Sequence, residues 1–430
     1  MTDRTWVPAV GGETLVPAPD PIARDYLLLG LRLDQRLPGI VDGYYGPRDL
    51  KGQVDMEPLR PASRLTDDAR ELRARVAAEE REQDRARWLD RQLVAIETLA
   101  AREAGERLPY VEEVTRCFDA APQALPAATY AEARAALDAA LPGSGDLRAR
   151  IDAWDSRLVV PVERLPALVD WLVPRLREAS SPVFAAPEGE SLRVSLVRGQ
   201  PWSGYDWYHG GLRSRVDLNT DLPIRVPDLI GTLSHETFPG HHLEHAWKEA
   251  RLVREQGRLE ASLLLINAPE CYVSEGLAEL GRTFTLPRDA WRELLVGAFV
   301  VAGIEAGADD AAQSQAIADA RRSIRGVGGD AALLLHAGGR PADEVCAWLV
   351  EHALDTPERA AKRVEFISHP LWRTYVFSYA GGERLLRAWC SLDGEAGAPA
   401  RFFRLLTEQL TPSGMAEEVA RVAEGAEPRA

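Results

Sequence analysis

The sequence predicts a mainly α-helical protein with one small antiparallel β-sheet. Long segments rich in alanine, leucine, arginine and glutamate carry apolar residues at helical spacing. One such stripe consists of Leu89, Leu93, Ile96 and Leu99. Apolar and polar residues alternate at 192–197 and at 212–218, which is typical of half-buried strands. Since both segments come shortly before a cluster of histidines, we expect the sheet to lie next to the helix that carries this cluster.

Length and composition favour a globular protein of two lobes. The chain has 430 residues, which is more than a single hydrophobic core usually supports. Its 46% hydrophobic and 27% charged residues are an ordinary globular composition. Residues 1–185 are helical in pattern, and we expect an N-terminal helical lobe there. Residues 186–430 contain both strands, the histidine cluster and further helices, and we expect them to form the lobe that carries the functional site.

Charge and cysteine content argue against several classes of partner and location. The formal net charge of -15 disfavours nucleic acid and anionic membrane surfaces, because both attract clustered lysine and arginine. Four cysteines lack CxxC spacing, so we expect neither a disulfide framework nor a thiolate zinc site. Residues 1–8 lack the pattern of a secretion signal, and no segment has the length of a membrane span. We therefore expect a cytoplasmic protein with no nucleic-acid or membrane partner.

Half of the eight histidines fall within eleven consecutive positions. The cluster comprises His235, Glu236, His241, His242, Glu244 and His245. Pro227 suits the first turn of a helix, which would place His235 and Glu236 near the carboxyl end of that helix. Imidazoles and carboxylates at this density are typical of a metal site, and a purely structural role is the alternative.

The histidine spacing departs from the common zinc-peptidase pattern HExxH. In that pattern two imidazoles lie one helical turn apart and approach Zn²⁺ to about 2.0–2.1 Å. Here Pro239 occupies the position of the second histidine, and His241 follows Gly240. The Pro-Gly pair can end or bulge the helix and direct His241 toward a metal bound by His235. His242 would then point elsewhere, toward substrate or a supporting carboxylate, although it remains the alternative second ligand.

The motif His235-Glu236-Thr237-Phe238-Pro239-Gly240-His241-His242 resembles that of a bacterial protein family of largely unassigned function that carries HExxPGHH. This family is distantly related to the gluzincin zinc metallopeptidases, in which a glutamate on a later helix is the third ligand. Residues 271–280 resemble the E-G-W-A-L-Y segment of the family, with Leu277 in place of the aromatic residue. The resemblance implies Glu275 as third zinc ligand, with Glu270 and Glu279 as alternatives. It also implies that Glu279 accepts the second ring N–H of a ligating histidine.

The resemblance further implies a zincin-like architecture, Zn²⁺ as cofactor and a hydrolytic reaction. Zinc held by two histidines and one glutamate keeps an open position for water and lowers its pKa toward about 7. Glu236 is then placed to act as general base. Residues 366–382 resemble the tail of the family, which implies that Tyr379 donates to the developing oxyanion. We expect a metallopeptidase that acts on peptides or small amides, with 186–430 as its catalytic lobe. The alternatives are a zinc hydrolase of another amide or ester and a helical binding protein with a vestigial metal site.

Three arginines in the second half of the chain allow two interpretations. Arg321, Arg322 and Arg325 recur at a spacing that fits a charged helix face. Binding of a substrate carboxylate is the alternative. The sequence alone leaves both interpretations open.

Overall fold

The computed structural model describes residues 19–200 and 202–425 of the chain. Helices make up 67% of the residues and strands 7%, which confirms the mainly α-helical prediction. No helix in the described ranges combines the length and the apolar character that a bilayer crossing requires. Residues 1–8, on which part of the predicted location depends, lie outside the described ranges, and the cytoplasmic location stays a prediction.

The helices before the second sheet form most of the first half of the chain. They are α1 Pro21–Arg36, α2 Arg48–Met56, α3 Ala62–Glu79, α4 Gln83–Glu103, α5 Tyr110–Phe118, α6 Ala128–Ala140, α7 Leu147–Arg157 and α8 Leu165–Ser180. The predicted apolar stripe lies on α4, and all four of its side chains are buried.

The remaining helices follow the second sheet. They are α9 Val226–Glu236, α10 His241–Lys248, α11 Pro269–Thr285, α12 Arg288–Ala302, α13 Ala308–Arg322, α14 Val327–Ala332, α15 Ala342–His352, α16 Pro357–Ser368, α17 Val376–Cys390, α18 Gly394–Thr407 and α19 Pro412–Ala423. A π-helix, Glu249–Glu255, continues α10, and a second one, Leu333–Ala337, continues α14.

Five short strands form two sheets in the described part of the chain. The strands are β1 Val41–Tyr44, β2 Ser191–Val197, β3 Gly204–Tyr208, β4 Arg213–Asn219 and β5 Leu263–Leu265. β1 and β5 pair antiparallel, and the other sheet has the order β2-β4-β3. As predicted, this second sheet comes shortly before the helix that carries the first histidine of the cluster.

The predicted antiparallel pairing of the two alternating segments is wrong. These segments are β2 and β4, and they pair in parallel. The reason is β3, a strand that the sequence analysis missed, which pairs antiparallel with β4. Gly210 and Gly211 reverse the chain between β3 and β4 with φ values of 72° and 68°, which glycine adopts readily. Because β3 takes one edge of β4, β2 occupies the other.

Buried apolar side chains form two large clusters, and each draws on both halves of the chain. The first contains Trp88 together with Leu265, and the second contains Leu172 together with Phe402. The predicted lobe boundary between residues 185 and 186 therefore does not coincide with the division between the clusters. The two-lobe organisation stays a prediction.

Candidate metal centre

The chain turns back on itself between the first two predicted ligands. α9 ends with His235 and Glu236, as predicted, and Thr237 leaves the helical conformation with φ -117° and ψ -88°. A Cβ atom on Gly240 would lie 1.8 Å from the carbonyl oxygen of His235, so only glycine permits this close return. α10 then begins at His241, whose ring meets the ring of His235 edge to face at 4.7 Å. The Pro-Gly pair thus interrupts the helix and brings the two imidazoles together.

Donor atoms of the three predicted ligands converge on one point. Nε2 of His235 lies 3.1 Å from Nε2 of His241. The Glu275 carboxylate is 3.4 Å from His235 through Oε2 and 3.6 Å from His241 through Oε1. Tetrahedral donors about 2.0–2.1 Å from zinc lie roughly 3.3 Å apart, so these separations fit a zinc ion. The structure brings the three residues together, and their role as ligands stays a prediction.

Each imidazole of the triad has a partner on its other ring nitrogen. Nδ1 of His235 lies 3.6 Å from Oε1 of Glu279, the residue predicted to support a ligand in this way. Nδ1 of His241 lies 3.1 Å from the Ser274 hydroxyl and 3.5 Å from Oε2 of Glu244. A hydrogen bond such as that of Ser274 fixes the tautomer of a ligating histidine, whereas Glu279 lies just beyond hydrogen-bond distance of His235 and its supporting role stays a prediction.

Glu275 is held with one oxygen free for a metal. The Tyr375 hydroxyl donates to Oε1 of Glu275 at 2.5 Å. Oε2 is buried and has no hydrogen-bond partner among the described residues. A buried carboxylate oxygen is normally paired, and a metal ion is one partner that would satisfy it. This unpartnered oxygen supports the assignment of Glu275 over Glu270 or Glu279.

Burial and mutual contacts set the charges of the centre. Burial opposes ionisation of Glu275, but the contacts with His235 and His241 outweigh it and lower the pKa of this carboxyl. The pKa of each histidine is raised in spite of burial, mainly by the contacts with carboxylates. Burial raises the pKa of Glu236, which is 7% exposed. A carboxyl group with a raised pKa is suited to exchange protons near neutral pH.

A second group of possible ligands comprises His241, Glu244 and His245. The Lys248 ammonium is buried here and donates to Oε1 of Glu244 at 2.5 Å. Because a cation already neutralises Glu244, a divalent ion beside it would be repelled at low dielectric. The triad with Glu275 is therefore the better candidate metal site.

His242 points away from the triad. Its Nε2 lies 2.7 Å from Oε2 of Glu190, and its Nδ1 lies 2.8 Å from the Ser214 hydroxyl. Adjacent residues on a helix diverge by about 100°, so His241 and His242 cannot face the same point. The sequence analysis offered contact with substrate or with a carboxylate for His242, and the structure shows contact with the Glu190 carboxylate. Glu190 itself is ion-paired with Arg177.

The edge of the second sheet passes beside Glu236. The main chain of Asp206 lies close to the Glu236 carboxylate and lowers its pKa, against the larger effect of burial. A Cβ atom on Gly204 would lie 3.0 Å from Oε1 of Glu236 and 2.5 Å from Thr232, so glycine permits this close passage. β3 therefore lies against the carboxyl end of α9.

Only every second residue of β3 forms main-chain hydrogen bonds with β4. His209 N–H donates to Arg213 O, and Asn219 N–H donates to Ser203 O. In an antiparallel pair the residues alternate between pairing with the partner strand and facing away from it. Odd-numbered residues of this segment thus pair with β4, and the main-chain groups of even-numbered ones, Asp206 among them, point away from β4 at the edge of the sheet.

Tyr379 reaches the triad because α11 and α17 cross at two glycines. A Cβ atom on Gly276 would lie 2.4 Å from the carbonyl carbon of Gly382, so the backbones touch. The Tyr379 ring lies 6.4 Å from the ring of His235 and 5.4 Å from that of Tyr375. Tyr379 is 36% exposed, which makes it accessible to a substrate. No role was predicted for Tyr375 from the sequence. It lies one turn before Tyr379, so both residues lie on one helix face.

We expect the Gly276→Ala variant to be less stable than the native protein by about 1–3 kcal/mol, since the added methyl group must push α17 away from α11. The free energy of unfolding from denaturant titration measures this effect. Gly231→Ala in α9 is the matched control, because a Cβ there meets no described atom within 4 Å. Alanine at position 231 should leave stability unchanged or raise it by up to about 1 kcal/mol. Equal stability of the two variants would contradict the tight crossing.

Comparisons with known proteins add a likeness of fold. No protein-family model and no curated protein matches the chain. The structure is similar to the crystal structure of a "putative lipoprotein" from Colwellia psychrerythraea, with a TM-score of 0.50 and 15% sequence identity. The match covers 84% of this chain and 67% of the other. At this identity the likeness concerns the fold, and the candidate centre rests on its own geometry.

Proposed function

We propose that this protein is a zinc-dependent hydrolase with a zincin-like site that cleaves peptide bonds. The observation that carries the proposal is the convergence of His235, His241 and Glu275, whose donor atoms lie 3.1–3.6 Å apart. Buried Glu236 follows His235 directly in the chain, and the charges of all three residues influence its pKa. Zinc bound by the triad would acidify a water molecule and polarise the carbonyl group of the substrate.

Glu236 is the proton carrier of the proposed reaction. Its carboxylate takes a proton from the attacking water, and the water oxygen forms a bond to the carbonyl carbon of the peptide. The same proton then passes from Glu236 to the amine nitrogen as the C–N bond breaks. The nearby main chain of Asp206 favours the charged form of the carboxylate, and burial keeps bulk water from competing for the proton.

Tyr379 and β3 supply contacts for the substrate. Tyr379 is exposed beside the triad, where its hydroxyl can donate to the oxyanion that develops on the carbonyl oxygen. The edge of β3 that does not pair with β4 can pair with an extended peptide through main-chain hydrogen bonds. This edge lies next to Glu236, so a peptide bound there would pass close to the proton carrier. The strand favours a peptide over a small ester or another amide.

Metal analysis combined with a cleavage screen tests the proposal. We expect about one equivalent of zinc in the purified protein and cleavage of members of a peptide library that stops when a chelator removes the metal. Return of activity on addition of zinc is the control for irreversible damage by the chelator. Cleavage of amide or ester substrates alone would favour the other zinc hydrolases. Absence of bound metal in the purified protein would favour a binding protein and reject the enzyme.

A further inference from the structure

Four arginines gather on one side of the candidate metal centre. Arg282 lies on α11, Arg322 ends α13, Arg325 follows it and Arg387 lies on α17. Two carboxylates stand among them. Arg325 is ion-paired with Glu279, whereas the Glu383 carboxylate receives both Arg322 and Arg387, at 3.0 Å and 2.7 Å.

The arginine cluster, defined as Arg282, Arg322, Arg325 and Arg387, carries more positive charge than these partners neutralise. Four guanidinium groups face two carboxylates, in a chain whose formal net charge is -15. The contact of Arg322 with Glu383 lies outside hydrogen-bond geometry, and Nη2 of Arg322 is buried without a hydrogen bond to any described residue. A surplus of cationic donors in one place is an arrangement that binds an anion.

Arg282 is the clearest case of an arginine without an anionic partner. Its guanidinium carbon lies 5.8 Å from the centroid of the Trp291 ring. In the described part of the chain the guanidinium makes no hydrogen bond or ion pair. Burial lowers its pKa to about 10, and the positive charges of Arg322 and Arg325 add to this effect. A partly buried cation is costly unless it is paired, and Glu279 and Glu383 offset the effect only in part, so an anion supplied from outside would stabilise this arrangement.

Arg321 differs from its neighbours and does not belong to the cluster. Its guanidinium binds Asp155 through both carboxylate oxygens at 3.0 Å, on another side of α13. The three arginines singled out in the sequence therefore differ in their surroundings. Arg321 joins helices together, whereas Arg322 and Arg325 face the same space as Arg282.

The cluster adjoins the residues that surround the metal centre. Glu279 contacts Nδ1 of His235 on one side and Arg325 on the other, so a single carboxylate separates the cluster from a predicted ligand. Glu275, Glu279 and Arg282 lie on one face of α11, since they are spaced by four and three residues. Each extended residue spans about 3.3–3.6 Å, so a peptide that runs from the metal centre past Glu279 would bring a group a few residues from the cleaved bond to the cluster.

We propose that Arg282 and Arg322 bind a carboxylate of the peptide substrate, supplied by its carboxyl terminus or by an acidic side chain near it. The proposal rests on the proposed function for the identity of the substrate. It extends that function by naming the substrate class, peptides with a negative charge close to the cleaved bond. Guanidinium groups match carboxylates through paired N–H donors, which fits a charged, directional recognition.

Binding of three matched peptides to the Glu236→Gln protein tests the proposal without requiring turnover. Calorimetric titration would compare acetyl-Ala-Ala-Ala as free acid, the same peptide as amide, and acetyl-Ala-Ala-Glu amide. We expect the free acid, the acidic amide or both to bind about tenfold to a hundredfold more tightly than the neutral amide. The first and third peptides distinguish a terminal carboxylate from a side-chain carboxylate. The affinity difference between the charged peptides and the neutral amide should shrink as salt concentration rises.

The Arg322→Met and Arg282→Met variants should each lose most of the preference for a charged peptide while they bind the neutral amide as before. Arg288→Met is the control, because Arg288 is an exposed arginine of α12 paired with Asp319 away from the cluster. Arg282 is partly buried, so Arg322→Met serves as the second variant if Arg282→Met does not fold. Equal binding of all three peptides, or an unchanged preference in Arg322→Met, would overturn the carboxylate site. Failure of the proposed hydrolase would instead appear as absence of metal-dependent cleavage, whatever the peptide charge.

Discussion

Replacing His235 with alanine is expected to leave the purified protein without stoichiometric zinc and without metal-dependent cleavage. The substitution removes one of three donor atoms that converge within 3.1–3.6 Å, and two remaining donors hold zinc poorly. Loss of a residue that only supports a ligand usually costs 10–100-fold in metal affinity, so loss of the ligand itself should cost more than about 100-fold. Elemental analysis after dialysis and titration with a competing chelator measure both quantities.

Neighbouring histidines make this prediction specific. His242→Ala should retain zinc, because the ring of His242 contacts Glu190 and Ser214 and faces away from the triad. His352→Ala, on the distant helix α15, controls for the loss of any histidine. Zinc lost in His242→Ala but retained in His241→Ala would show that the second ligand is wrongly assigned. Zinc retained in His235→Ala would reject the centre as a whole.

The parts of the site that lie close together in sequence could be predicted from it. The order His235, Glu236, Pro239, Gly240 and His241 is enough to predict a helix that ends and returns, because proline and glycine act on their own backbone. The apolar stripe of α4 was predictable for the same reason, since helical periodicity is a local property.

Contacts between distant segments could not be predicted. Glu190 meets His242 from just before β2, and Tyr375 reaches Glu275 across 100 residues of chain. Neither partner carries a local signal of its role, since the contact depends on how α11 and α17 pack. No strand was predicted at β3, because its five residues lie between segments 199–201 and 210–211, whose glycines and proline are typical of turns. Once β3 is formed, it changes the pairing of both neighbouring strands and places Asp206 against Glu236.

The Glu236→Gln variant is expected to separate metal binding from catalysis. Glutamine has the same shape, so the carboxyl end of α9 should keep its conformation. An amide cannot take a proton from water near neutral pH, and general acid–base catalysis contributes about 10²–10⁴-fold. Zinc content should therefore equal that of the native protein while turnover falls by that factor.

Single-turnover kinetics on a cleaved peptide, with zinc content measured on the same sample, test this expectation. Glu293→Gln on the exposed face of α12 is the matched control, and it should cleave at the native rate. A Glu236→Gln protein that has lost its zinc would mean that Glu236 helps to hold the metal, and the proton carrier would then be another residue. Full activity in a zinc-replete Glu236→Gln protein would remove Glu236 from the reaction and make Tyr379, an exposed residue whose ring lies 6.4 Å from that of His235, the next candidate proton donor.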